Sequence, residues 1–342
     1  MTTQPIHVSR SNAAHSETMR AIKRNSYGGP EVLELTDTAQ PEPTEGRVLV
    51  KVHSASLNAL DWHLLTGTPY FLRLMNGLRT PKRTGIGVDF AGVVEAVGPG
   101  VEGLKPGDAV FGAADGTCAE YVTPKAEYTL PIPEGVDFDQ AATFNVAAIT
   151  ALQGLRDVGE VKPGQRVLIN GSAGGVGTYA VQIAKLLGAH VTAVCSGRNV
   201  EMVCSLGADE VIDYTTTDVS SLGKAFDVIF DNAGSQRPSK LARMLQPDGT
   251  AVIVTGPKTG KVIGPVGHIA RSKLRFMFGS RRGETMNAET RREDLEQIGE
   301  WAAAGSITAV IHRTYPLDQA VEAVRLLGSG HAPAKLVVHP QV

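Results

Sequence analysis

The sequence predicts an α/β protein: a doubly wound parallel sheet preceded by a compact domain of short, barrel-like strands. Two patterns carry this. From about residue 139 onward, apolar runs of strand length alternate with segments of helical period. Before that point, short strands separated by Gly and Pro turns follow one another closely. The run Arg166 to Gly188 then joins an apolar strand, a glycine-rich turn and an amphipathic helix.

Composition narrows the function classes. A chain of 342 residues, 42% hydrophobic, has the material for one large or two ordinary domains with full cores. The net charge of -2 gives no polybasic character, which argues against nucleic acid or an anionic membrane as the main partner. Cys118, Cys195 and Cys204 form no C-x-x-C pair, so neither a disulfide framework nor a cysteine zinc site is supported. A reducing, cytoplasmic setting fits. No apolar run approaches the length of a membrane span. Residues 1–18 are polar and read as a flexible extension.

In chain order, Gly28-Gly29-Pro30 is a turn, and Val32 to Leu35 a strand. Val48, Val50 and Val52 alternate with Leu49, Lys51 and His53, as a half-buried strand requires. Ala109–Phe111 and Glu120–Val122 are further short strands. Asp139 to Leu155 reads as one helix leading into the second domain. Strands at Val211-Ile212, Val228–Phe230 and Val252–Val254 follow, with a helix that has Pro238 in its first turn. Last come a basic loop around Arg281-Arg282, helices over Arg292–Ala304 and Leu317–Leu327, and the strand Leu336–Val338.

The turn after Val167–Ile169 places Gly171, Ala173, Gly174, Gly175, Val176 and Gly177 at the start of a helix whose Ala180, Ile183, Ala184 and Leu187 share one face. Val191–Val194 supplies the second strand. Glycines let the backbone approach a pyrophosphate, and a helix N-terminus offers free N–H groups and partial positive charge. The turn is therefore a candidate dinucleotide site.

The segments Gly28–Leu33, Asp89–Val94, Lys105–Val110, Gly171–Gly177, Leu206–Asp209 and Ala334–Val338 occur in an order and spacing that resembles the medium-chain dehydrogenase/reductase superfamily. The branch is that of the zinc-free quinone oxidoreductases, and the resemblance runs from Met19 to Val338. It implies a GroES-like β-barrel domain with a Rossmann domain inserted and the active site in the cleft between them. The expected boundaries are 19–131 for the first part of the catalytic domain, 132–270 for the Rossmann domain and 271–342 for the completion.

Zinc-dependent relatives carry Cys where this chain has Asn58 and a His-Glu pair where it has Val88-Asp89. Neither Asn58 nor Val88 is a zinc ligand, so the resemblance implies a metal-free site. Without a Lewis acid the hydride acceptor must already be electron-poor, as quinones and α,β-unsaturated carbonyls are. Asn58 resembles the family Asn beside the nicotinamide ribose; its plainer role is to cap the segment from Ala59. His63 matches a position that is often Tyr in quinone reductases and can be a proton-relay His in zinc enzymes. It is a candidate proton donor.

Cofactor choice is read after the second strand. There Ser196 and Arg198 suit the 2′-phosphate of NADPH, and no acid follows before Glu201. Tyr214 matches a family Tyr of the same region. Asn232, Thr255 and Gly256 follow later strands, and Thr150 lies toward the nicotinamide side. Acceptor selectivity is expected in Thr66–Thr84 and Phe276–Arg282. The expected activity is NADPH-dependent reduction of a quinone or conjugated carbonyl by a homodimer. The alternatives are an alkenal or enoyl-thioester reductase and a non-catalytic NADPH sensor.

Overall fold

The structure, a computed structural model, describes residues 17–223, 225–255, 272, 275–276 and 280–342. A hairpin opens the chain: β1 (Thr18–Lys23) and β2 (Glu34–Ala39) pair antiparallel, Thr18 with Ala39. Thr18 is thus already in a ladder. Val32 closes a single tight turn, Pro30–Val32, instead of starting the strand.

β3 (Val48–Leu57) is the spine of the first domain. Val48, Val50 and Val52 are fully buried, as their alternation predicts. α1 (Ala59–Thr66) and α2 (Leu72–Asn76) follow. Then come β4 (Asp89–Val97), β5 (Ala109–Ala113), β6 (Tyr121–Val122) and β7 (Thr129–Pro131). β3, β4, β5 and β7 are neighbours in one antiparallel sheet, with β6 also against β3.

The expected helix over Asp139–Leu155 is broken. α3 (Phe138–Ala141) stops before Thr143, and α4 (Ile149–Gln153) lies between two widened turns, Phe144–Ala148 and Gly154–Val158. The Thr143 hydroxyl donates to the Gln140 carbonyl at 2.7 Å, competing with the ladder. The widened turn delivers the Asn145 side chain and the Val146 N–H to Asp89.

The second sheet contains β8 (Arg166–Asn170), β9 (His190–Cys195), β10 (Glu210–Asp213), β11 (Phe226–Asp231), β12 (Leu245–Ile253) and β13 (Arg282–Thr285). α5 (Gly175–Leu186), α6 (Val200–Ser205) and α7 (Pro238–Met244) are its connecting helices. All pairings are parallel, in the order β10-β9-β8-β11-β12-β13. Numbered from β8 this is 3-2-1-4-5-6, the doubly wound order, and the strand order reverses between β8 and β11.

β13 corrects the expected boundary at residue 271. Arg282 to Thr285 pairs in register with Thr250 to Ile253, so this stretch is sheet and not loop. Arg-Gly-Glu-Thr has no apolar run to announce it; only the neighbouring backbone makes it a strand. Phe276, placed in a cleft loop by the sequence reading, is instead buried with Leu168, Ile229 and Leu241. α8 (Arg292–Ala303) also stays with this domain, Leu295 and Ile298 packing in one core with Ala151 and Ile183.

β14 (Ile311–Pro316), α9 (Ala320–Ser329) and β15 (Lys335–His339) return to the first domain. β15 lies antiparallel on β3, pairing Leu336 with Leu57 and Val338 with Ala55. The chain's last strand therefore sits beside the one that leads into α1.

Candidate active site at the domain seam

The glycine turn has the shape its sequence requires. Gly171 has φ +86°, a left-handed conformation that excludes most side chains. A Cβ on Gly177 would lie 2.1 Å from the Gly171 carbonyl oxygen, so only glycine lets α5 start this close to β8. The Ser172 hydroxyl donates to the Val194 carbonyl at 2.9 Å and ties the turn to β9. α5 begins with Thr178 N–H bonding to the Gly174 carbonyl at 2.9 Å. First-turn amides before it have no carbonyl one turn back, which suits them to anionic oxygens. A Cβ on Gly174 would meet nothing nearer than the Gly171 oxygen at 3.6 Å, so the surface there is open. This turn fits a pyrophosphate, with Ala173 and Val176 in its wall.

The switch point supplies a second wall. Asn170 ends β8 and its amide donates to Asp231 at 2.6 Å and Ser235 at 3.2 Å. The Gly234 N–H also donates to Asp231. Burial pushes the Asp231 carboxyl up to about 6, against those bonds. Asn232 approaches the turn, its Nδ2 being 3.8 Å from a Cβ position on Gly174. Thr255 follows the C-terminal end of β12; Gly256 lies outside the described residues. Thr150 is buried, and its hydroxyl donates to the Val146 carbonyl of its own helical segment at 2.6 Å.

Ser196, Arg198 and Tyr214 do meet at one end of the sheet, because Cys195 of β9 pairs with Asp213 of β10. Arg198 is exposed and donates to the His331 carbonyl at 3.0 Å. Tyr214 is also exposed. The Ser196 hydroxyl accepts from Asn199 at 3.1 Å. The sheet brings one residue that the sequence reading missed. The Asp213 carboxylate lies beside Gly197, where a Cβ would be 2.6 Å from its Oδ2. Bonds from Thr215 and the Gly197 N–H hold its pKa below the usual carboxylate range. The signal was strand register, which a scan for an acid after β9 alone does not test.

The first domain contributes Asn58, at the N-cap of α1. Its Nδ2 donates to Asp89 at 2.9 Å, and its Oδ1 accepts from the Lys335 ammonium at 2.5 Å. Lys335 also donates to the Leu57 carbonyl at 3.2 Å and stands 3.9 Å from Asp89. Asp89 accepts further bonds from Ser56, Asn145 and the Val146 N–H. Asn145 in turn accepts from Thr290 at 2.9 Å. Burial pushes Lys335 down and Asp89 up, and each charge offsets part of the other's shift.

Lys335 also reaches the cofactor turn. A Cβ on Gly175 would lie 2.8 Å from the Lys335 Cδ, and the adjacent Ala334 N–H donates to the Ala173 carbonyl at 2.7 Å. One buried cation thus joins Asn58, Asp89 and the glycine turn across the seam. Nothing local signals this: a single Lys ahead of an apolar strand reads as a solvated end.

His63 is half-buried, and its Nδ1 is 2.8 Å from the Thr68 carbonyl. Five residue steps of about 100° each place it about 140° round α1 from Asn58. The two side chains belong to different faces of the same segment.

Comparison with known proteins follows this geometry. Residues 44–134 match the alcohol dehydrogenase GroES-like domain, and residues 206–338 match the family described as zinc-binding dehydrogenase. The chloroplast envelope quinone oxidoreductase homolog of Arabidopsis thaliana is 33% identical over 338 residues, covering 94% of this chain and 98% of the relative. The chain belongs to the medium-chain dehydrogenase/reductase superfamily, quinone oxidoreductase-like. A trans-enoyl reductase of Aspergillus terreus is 36% identical over 313 residues, covering 85% of this chain and 86% of its own. The quinone oxidoreductase of Escherichia coli, solved with NADPH, superposes with a TM-score of 0.80 at 28% identity, covering 94% of this chain and 100% of that one. As a member of this superfamily the protein is a nicotinamide-dependent oxidoreductase.

Proposed function

We propose that this oxidoreductase is a zinc-independent NADPH-dependent reductase of quinones or α,β-unsaturated carbonyls. The observation that carries the reading is the Asn58–Lys335–Asp89 cluster. At the positions where zinc relatives keep ligands, Asn58 and Asp89 are committed to each other and to an ammonium group. Val88 has no ligand atom. A site of this donor set favours an acceptor that needs no Lewis acid.

The residues divide the work. The glycine turn and the N-terminus of α5 hold the pyrophosphate, and Ser196, Arg198 and Tyr214 face the adenosine end. Bound reduced nicotinamide supplies the hydride. Lys335 fixes Asn58 against the turn, so the amide is set before the acceptor arrives. The His63 Nδ1–H donates to the Thr68 carbonyl and orients the ring, and in its imidazolium form the side chain would carry a second proton, on Nε2, that it can pass to the reduced product.

The relative from Aspergillus terreus supports the second reading, a double-bond reductase for alkenals or enoyl thioesters. A complete seam cluster speaks against a non-catalytic sensor. Cys118, Cys195 and Cys204 are free thiols, which supports a reducing, cytoplasmic setting. Among the described residues no helix is long and apolar enough to cross a membrane.

The test is NADPH oxidation with a panel of quinones, enones and enals under prolonged chelation. Turnover should persist without metal, and His63→Ala should lower kcat by about 10²–10⁴-fold with little effect on NADPH binding. Loss of activity on chelation, restored by zinc, would overturn the metal-free reading.

A further inference from the structure

We propose that residues 70–83 form a docking surface for an anionic lipid bilayer. The net charge of -2 conceals a local imbalance. Between Asp61 and Asp89 the chain has no acidic residue but carries Arg73, Arg79, Lys82 and Arg83. Arg83 pairs with Asp115 at 2.8 Å. Arg79 and Lys82 are exposed and have no ion-pair partner among the described residues.

The same stretch shows large apolar side chains to solvent. Leu74, Met75 and Leu78 are 72%, 79% and 67% exposed, and Tyr70 and Phe71 are exposed beside them. Phe71, Leu74 and Met75, spaced i, i+3, i+4, share one side of the turn that becomes α2. A contiguous apolar patch of this kind marks an interaction site more often than a bare surface.

The segment is held from behind. The Arg73 guanidinium lies 4.4 Å from the Tyr27 ring centre and 4.6 Å from that of Tyr70. It donates to the Gly67 and Thr66 carbonyls. The Tyr27 hydroxyl donates to the Gly77 carbonyl at 2.7 Å. Asn76 is buried; its carbonyl accepts the Lys82 N–H at 2.6 Å and its side chain the Arg83 N–H at 3.1 Å. Polar contacts fix the inner side while the apolar side faces out.

Apolar side chains flanked by cations, with no acid within the stretch and Asp115 paired to Arg83, match one surface chemistry on both counts. The acyl boundary of a bilayer takes Phe71, Leu74, Met75 and Leu78, and anionic headgroups take Arg79 and Lys82. The proposal does not depend on which acceptor the enzyme reduces.

The experiment is co-sedimentation of the full chain with phosphatidylcholine vesicles, with and without phosphatidylglycerol. Binding should require the anionic lipid and weaken with salt. Arg79→Gln with Lys82→Gln should weaken it roughly 25-fold, about fivefold for each cation. Leu74→Ser with Met75→Ser should reduce it while the melting temperature is unchanged. No binding, or binding indifferent to both pairs of substitutions, overturns the proposal. So does a Leu74→Ser, Met75→Ser protein that changes its mass in light scattering, which would assign the face to a second copy. A changed KM for a water-soluble acceptor without vesicle binding would assign it to the substrate cleft instead.

Discussion

Lys335 is almost fully buried and still carries its ammonium to oxygens of Leu57 at the end of β3, Asn58 at the N-cap of α1 and Asp89 at the start of β4. Removing one partner of a buried pair leaves the other uncompensated, at a cost of about 3–5 kcal/mol. Lys335→Met should therefore lower thermal stability clearly, and adding Asp89→Asn should recover much of the loss. An unchanged melting temperature in the single variant would show that no ion pair exists there. Arg198 is exposed, and the proposed reading gives it the 2′-phosphate at the opposite end of the cofactor site. A hydrogen bond to a charged phosphate is worth about 1.5–3 kcal/mol, or about 10- to 150-fold. Arg198→Ala should raise the KM for NADPH by that factor and leave NADH nearly unchanged. Asp213 sharpens the test, since a carboxylate at this end of the sheet repels a 2′-phosphate. A wild-type preference for NADH would assign the ribose to Asp213 and overturn the NADPH reading.

α1 shows how one short element serves two ends. Asp61, its third residue, accepts the N–H of Asn58 at 2.7 Å, closing the helix N-terminus on the residue that also meets Lys335. Burial pushes the Asp61 carboxyl up to about 7, aided by the Asp89 charge. An unfolded Asp titrates near about 4. The folded state thus holds this proton more tightly, and the contribution to stability is complete below about pH 4 and lost as pH rises to about 7. Thermal unfolding across this range should fall less steeply with pH in Asp61→Asn than in the wild type. Equal slopes would show that Asp61 is ionised throughout. The cap at Asn58 was legible in the sequence, but the helix after it and the burial of Asp61 were not, because a capping acid usually faces water.

At the scale of the molecule, β13 is the outer strand of the second sheet, and its far edge has no strand beside it among the described residues. Unpaired backbone groups on such an edge pair readily with a second copy. We propose a homodimer joined along β13. Light scattering at micromolar concentration should give twice the chain mass, and Glu284→Pro, which removes one edge donor, should lower it. A monomeric wild type would reject the arrangement.

The parallel sheet and the pyrophosphate turn were determined by local sequence. Alternating apolar runs, Gly171 and Gly177 act on their immediate neighbours, and period and turn chemistry are short-range properties. The β13 strand, the meeting of Asn145 and Val146 with Asp89, and the closeness of Asp213 to Ser196 were decided by tertiary structure. Each depends on a partner far along the chain: Thr250, Asp89 and Cys195, respectively. Lys335 is the clearest case. It is 277 residues from Asn58 in sequence, and neither residue type signals the other. Only the return of β15 to β3 brings a cation into a site that the sequence had described by the ligands it lacks.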